Sequence, residues 1–131
     1  MKEEQEKVAY YYPEELFDED GYPTGEALEY INNWSILFDE GEARVGQYVV
    51  DHDKELIDYI ISIWTYYNES QLTENSLELH TLGWSGNESI VSYLKKTWFW
   101  SSKWFMTIRG GHYYFTLSDK GEEEIINNLK A

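Results

Sequence analysis

Two short stretches carry residue types that could do chemistry, Gly83-Trp84-Ser85-Gly86-Asn87-Glu88 and Arg109-Gly110-Gly111-His112. In the first, backbone amides at a helix start could hold an anion, and a glycine would let the ligand come close. Glu88 would repel that anion, however, and no lysine follows to complete a phosphate loop. The plainer reading is that Ser85 and Glu88, just before an apolar run, form a capping box while Trp84 fills the core. In the second stretch, a two-residue glycine turn sets Arg109 opposite His112 at a hairpin tip. A guanidinium and an imidazole would then stand side by side within reach of a partner, with Glu88 as ion-pair acceptor for either. An enzymatic use would make Glu88 or His112 a general base and Arg109 an oxyanion support. No nucleophile or cofactor loop accompanies them, so the expectation is no enzyme, no catalytic residue and no cofactor.

The histidines are His52, His80 and His112, and no two fall four residues apart. Asp51-His52-Asp53 has metal-ligand residue types, but neighbouring side chains at a helix start diverge, and the aspartates read better as caps. No metal is expected. Trp98-Phe99-Trp100 followed by Trp104 and Phe105 is a dense group of rings. A helix end running into a strand cannot aim all of them at one core, so at least one is expected on the surface as an anchor for a partner. The expected partner-binding residues are Trp84, Asn87, Glu88, Trp98, Trp100, Arg109 and His112.

The 131 residues suit a single domain, with residues 1–23 as an irregular acidic entry and 24–131 as a globular body. The 12 Tyr, 6 Trp and 5 Phe supply much of the burial a modest chain needs. Absence of cysteine excludes disulfides, thiolate metal sites and a cysteine nucleophile. The charged start, Met1 to Lys7, leads into no apolar run, and no stretch approaches the ~20 apolar residues of a membrane span. These features predict a cytoplasmic protein without membrane contact. The net charge of −15 is uneven: residues 1–88 hold 21 acids against four cations, while residues 89–118 hold no acid and carry Lys95, Lys96, Lys103 and Arg109. Such an acidic excess opposes nucleic acid and attracts basic protein surfaces.

The elements that must position these residues follow from periodicity. Thr24 caps a first helix with Ala27, Leu28, Ile31 and Trp34 on its apolar stripe. Residues 35–50 are ambiguous, with Ser35–Phe38 and Val45–Val50 as possible short strands. Asp51 or Asp53 caps a second helix that reads through Tyr67, with Leu56, Ile60, Ile63 and Trp64 on one face. Asn68–Ser76 reads as a polar loop. Leu77, Leu79 and Thr81 alternate as a strand, and Ile90, Val91, Leu94 and Trp98 share a helical face. The glycine turn pairs Ile108 with Tyr113, Met106 with Phe115 and Trp104 with Leu117. That puts Trp104, Met106, Ile108, Tyr113, Phe115 and Leu117 on the core side. Asp119 and Glu122 would cap a closing helix whose Ile125, Ile126 and Leu129 pack inward. The expected fold is α+β: a three-stranded antiparallel sheet, including the C-terminal hairpin, with three to four helices.

Trp84-Ser85-Gly86-Asn87-Glu88, the aromatic Trp98-Phe99-Trp100 and Arg109-Gly110-Gly111-His112-Tyr113 together resemble a group of uncharacterised small bacteriophage proteins, over roughly residues 22–117. The resemblance implies a phage or prophage accessory protein that binds and inhibits or redirects a host protein, such as a defence component, without catalysis. It assigns no residue roles. Tyr113-Tyr114-Phe115-Thr116-Leu117-Ser118-Asp119-Lys120-Gly121-Glu122 is similar to the end of the wing in winged-helix transcription factors. That likeness implies a DNA-binding regulator with Lys95 and Lys96 before the hairpin and Arg109 at the wing tip, a reading the net charge opposes.

Overall fold

The structure, a computed structural model, describes residues 12–39, 46–65 and 70–130, with side chains for 12–34, 53–65 and 70–130. Thr24 begins α1 (Gly25–Asp39) as its spacing predicts, its Oγ accepting from the Ala27 amide at 3.0 Å. Ala27, Ile31 and Trp34 then recur one turn apart and are buried. α2 (Gly46–Ile63) buries Leu56, Tyr59, Ile60 and Ile63, and its Tyr59 hydroxyl donates to the Ala27 carbonyl of α1 at 2.7 Å.

These helices correct the reading of residues 35–50. Where described, that backbone is helical rather than extended, and residues 40–45 lie outside the described residues. Asp51, His52 and Asp53 consequently fall inside α2 instead of capping it. The helix ends at Ile63, with Trp64 donating its amide to the Ile61 carbonyl; Tyr66 and Tyr67 lie outside the described residues. Ahead of α1, Asp18 Oδ1 accepts from the amides of Asp20 and Tyr22, an Asx turn that reverses the entry segment. Residues 1–11 of that segment lie outside the described residues.

The sheet has four antiparallel strands: β1 (Gln71–Leu72), β2 (Ser76–His80), β3 (Trp104–Ile108) and β4 (His112–Thr116), in the order β1-β2-β4-β3. The α+β class is as expected, with one strand more, because part of the expected polar loop pairs as β1. Leu77 pairs with Phe115 and Leu79 with Tyr113, so these four share the face that meets the main core. The other face carries Ser76, Glu78 and His80 beside Thr116, Tyr114 and His112.

Between β2 and β3 the expected single helix is two, α3 (Ser85–Leu94) and α4 (Trp98–Lys103). Thr97 makes the break: its hydroxyl donates to the Leu94 carbonyl at 2.7 Å and accepts from the Trp100 amide at 3.1 Å. One buried side chain therefore closes α3 and caps α4.

The hairpin register also differs from the sequence reading. Its loop has three residues, Arg109, Gly110 and Gly111, and Ile108 pairs with His112, Thr107 with Tyr113 and Met106 with Tyr114. Arg109 and His112 are therefore not cross-strand partners. The cause lies outside the hairpin. The Thr81 amide donates to the Gly111 carbonyl at 3.0 Å, tying the tip to the end of β2. Gly111 sits at φ 88°, and a Cβ there would overlap the Thr81 hydroxyl, so only glycine fits. The one-residue shift moves Met106 and Ile108 to the second face. A bulge between Trp104 and Met106 restores the phase, and Trp104 pairs with Phe115 on the core-facing side.

α5 (Gly121–Lys130) packs on β2 and β4. Ser118, rather than Asp119, holds the turn before it, accepting from the Lys120 amide and donating to Asn75. Glu124 accepts from Thr73, Asn75 and Ser76, bonds that hold its carboxyl below the ordinary range. Ile125 is buried, but Ile126 and Leu129 are exposed instead of packing inward.

Candidate protein-binding face

Thr97 sets the start of α4, and α4 lays Trp100 against the core-facing side of the sheet. The Trp100 ring meets Phe115 edge-on at 5.3 Å and Tyr113 at 5.7 Å, and stacks with Trp104 at 6.3 Å and 11°. Trp104 Nε1 donates to Thr107 Oγ1 at 2.9 Å, which fixes the indole although 44 % of the residue is exposed. Lys95, in the turn between α3 and α4, places its ammonium 5.8 Å from the Trp100 ring and 5.9 Å from Tyr113. Each such contact is worth about 0.5–1 kcal/mol at an exposed site, so the lysine is oriented but stays available to an anion. Lys96 lies over Tyr93 at 5.1 Å. The result is an ordered aromatic shelf edged by cations, inside the acid-free part of the sequence.

The site residues read from sequence do not converge on one place. Trp100 belongs to the shelf. Trp98 is half-buried against the core. Trp84, Asn87 and Glu88 stand apart at the start of α3. There the expected capping box is absent: helix residues begin at Ser85, Trp84 occupies the cap position, and no side chain caps the amides. Ser85 instead donates to the Tyr22 hydroxyl at 3.4 Å, and the Trp84 ring lies 4.5 Å from Tyr22. Asn87 is fully buried; its Oδ1 accepts from the Thr65 amide at 3.0 Å and its Nδ2 donates to the Thr65 carbonyl at 2.8 Å. Both ends of this amide are spent tying α3 to the end of α2. Glu88 is exposed and pairs with neither Arg109 nor His112 among the described residues.

His112 faces the other side of the sheet, where β2 supplies a residue that sequence reading did not join to it. His80 Nδ1 and His112 Nδ1 are 2.8 Å apart, so one ring donates and the other accepts. His80 Nε2 lies 3.5 Å from Glu78 Oε1, completing a row of three polar side chains. Tyr114 is buried beside them, and burial, followed by the charge of Glu78, pushes its phenol up. The alternation Glu78-Leu79-His80 was the available signal, but it does not say which strand lies alongside. Among the described residues no group of three His, Cys, Asp or Glu is arranged to hold a metal ion.

One further buried charge meets the last residue of α4. Asp53 of α2 is 5 % exposed, its Oδ2 is 3.9 Å from Lys103 Nζ, and its Oδ1 has no partner among the described residues. Burial outweighs the lysine and pushes the carboxyl up to about 6. Lys103 is thereby directed inward, which leaves Lys95, Lys96 and Arg109 as the exposed cations of this region. No helix among the described residues is long and apolar enough to cross a membrane. Comparison of the chain with models of protein families, with curated proteins and with solved structures finds no match in any of the three.

Proposed function

We propose that the chain is a non-enzymatic protein-binding module that meets its partner with the Trp100, Trp104, Tyr113 and Lys95 face. The observation that carries this reading is the exposed Trp104 ring, held rigid by Trp100 and Thr107. A pre-ordered indole loses little conformational freedom on binding, which is why such rings serve as anchors. Following the resemblance to small phage proteins, the partner is a host protein that the module inhibits or redirects. The test is affinity capture from bacterial lysate with the native chain and with Trp104→Ala. The native chain should enrich a protein that the variant does not; equal capture by both, or none by either, overturns the proposal.

A second reading is favoured by connectivity. Apart from the two-residue β1 inserted after α2, α2, β2, α3, α4 and the β3–β4 hairpin follow one another in the order of a winged helix, and β2 pairs with the far arm of the hairpin. Arg109 then sits at the wing tip, with Lys95 and Lys96 between the two helices. The chemistry of a DNA reader fits poorly. α4 has only six residues, of which Phe99 is buried and Trp98 and Trp100 are half-buried. Phosphate contacts by three exposed cations must also work against a net charge of −15. A mobility-shift titration with duplex DNA at low salt should show no complex. A saturable, salt-sensitive shift removed by Lys95→Glu with Lys96→Glu would establish the winged-helix reading instead.

A further inference from the structure

β3 is the outermost strand of the sheet, and among the described residues nothing pairs with its free side. A free edge presents unmatched N–H and C=O groups, and an extended peptide laid alongside completes them. The surroundings of this edge are chemically selective. Arg109 follows the strand and Lys95 stands over the adjoining rings, while Lys103 before the strand is turned inward to Asp53. Trp104 and Thr107 form an exposed shelf on the same strand. No carboxylate occurs between residues 89 and 118.

We infer that the ligand of this face is an acidic, extended peptide segment that adds to the sheet along β3, with its carboxylates meeting Lys95 and Arg109. The inference rests on the protein-binding reading above and names the kind of segment the partner offers. The bulge at Phe105 limits regular pairing to Met106–Ile108, so the backbone bonds are few and the indole shelf must contribute. A second copy of the chain is a poor occupant. Both copies carry −15, so their fields oppose association. That net charge also repels an acidic peptide at long range. At physiological salt the screening length is about 8 Å, so close contacts with Lys95 and Arg109 outweigh the distant acids.

The test is titration of the full-length protein at physiological salt with a blocked peptide alternating Glu and Val, read by tryptophan fluorescence and by amide exchange. The Glu-Val peptide should bind at least about ten-fold more tightly than a Lys-Val peptide, and should slow exchange at Met106–Ile108. Lys95→Glu with Arg109→Glu should weaken it by about ten-fold or more, and N-methylation of alternate peptide amides should abolish binding. Equal binding of the Lys-Val peptide, undiminished binding of the methylated peptide, or unprotected β3 amides overturns the inference. Dimerisation that protects β3 gives the edge to a second copy. Protection of the β3 amides in the free monomer that is lost when Glu3, Glu4 and Glu6 are changed to Gln gives it to the chain's own N-terminus. If the peptide fails while Trp104-dependent capture from lysate persists, only the strand addition falls. If that capture is also absent, the protein-binding reading falls with it.

Discussion

Trp84 and Trp104 each stand where an element begins, one at the start of α3 and one at the start of β3. In the fold they are used in opposite ways. Trp84 lies against Tyr22 of the entry segment, with Gly86 packed under its ring and Asn87 beside it holding Thr65. Trp104 is stacked on Trp100 from within, and its outer side meets solvent. The difference teaches that a motif dense in chemistry can be consumed by the fold, whereas a run of rings that looks like core can be left outside. A functional face is recognised by what remains unspent after internal contacts are counted. Trp104 remains unspent; Asn87 does not.

The comparison breaks most severely at Asn87. Asn87→Ala leaves the Thr65 amide and carbonyl without their partner and should cost about 3 kcal/mol in denaturant unfolding. If stability is unchanged, Asn87 is not the internal clamp assigned to it. Gly111→Ala comes next, at about 2 kcal/mol, because it forces a side chain at positive φ against Thr81. A neutral effect there would mean that the hairpin tip does not dock on β2, and the register would need another cause.

Asp53 tests the buried contact with Lys103 through pH. Its carboxyl is pushed up to about 6 in the folded chain, above its unfolded value, so the folded state holds this proton longer. The folded state is favoured most below the unfolded value, near pH 4, and loses that advantage as pH rises to about 6. Asp53→Asn should therefore flatten the dependence of melting temperature on pH over this window. At neutral pH it should stabilise by about 1–2 kcal/mol, less than the full ionisation cost because Lys103 loses its partner. A curve as steep as that of the native chain between pH 4 and 6 would show that Asp53 is not the group responsible.

The smallest stability effects belong to the outer residues. Trp104→Ala should cost less than about 1 kcal/mol in unfolding, despite removing the largest exposed ring of the face. Its effect should appear in partner capture, as expected for a ring whose outer side is not packed. Ser85→Ala should shift stability by less than about 0.5 kcal/mol, since the hydroxyl makes one long bond to Tyr22 and caps nothing. A loss of about 1 kcal/mol would restore the capping role that its spacing suggests.

Local patterns were legible wherever the physics is local. Thr24 as a cap, the apolar stripe of α1, the alternation of Leu77 and Leu79, and a hairpin near Gly110-Gly111 all depend on residues within a few positions of one another. The acid-free stretch around Lys95 to Arg109, and the expectation of an exposed ring among Trp98–Phe105, also came from the sequence. What the tertiary structure decided involves partners far apart in the chain. Thr81 binds Gly111 and shifts the hairpin by one residue, so Met106 and Ile108 change faces and Arg109 loses its place opposite His112. β2 lies beside β4, and only that neighbour brings His80 to His112. Thr97 is the exception: it divides what periodicity reads as one helix through bonds to Leu94 and Trp100, each three residues away, a local cap that apolar spacing does not register. Side-chain spacing determines which residues share a face of their own element. Which face is covered, and which group a polar side chain finally binds, depends on how distant elements pack.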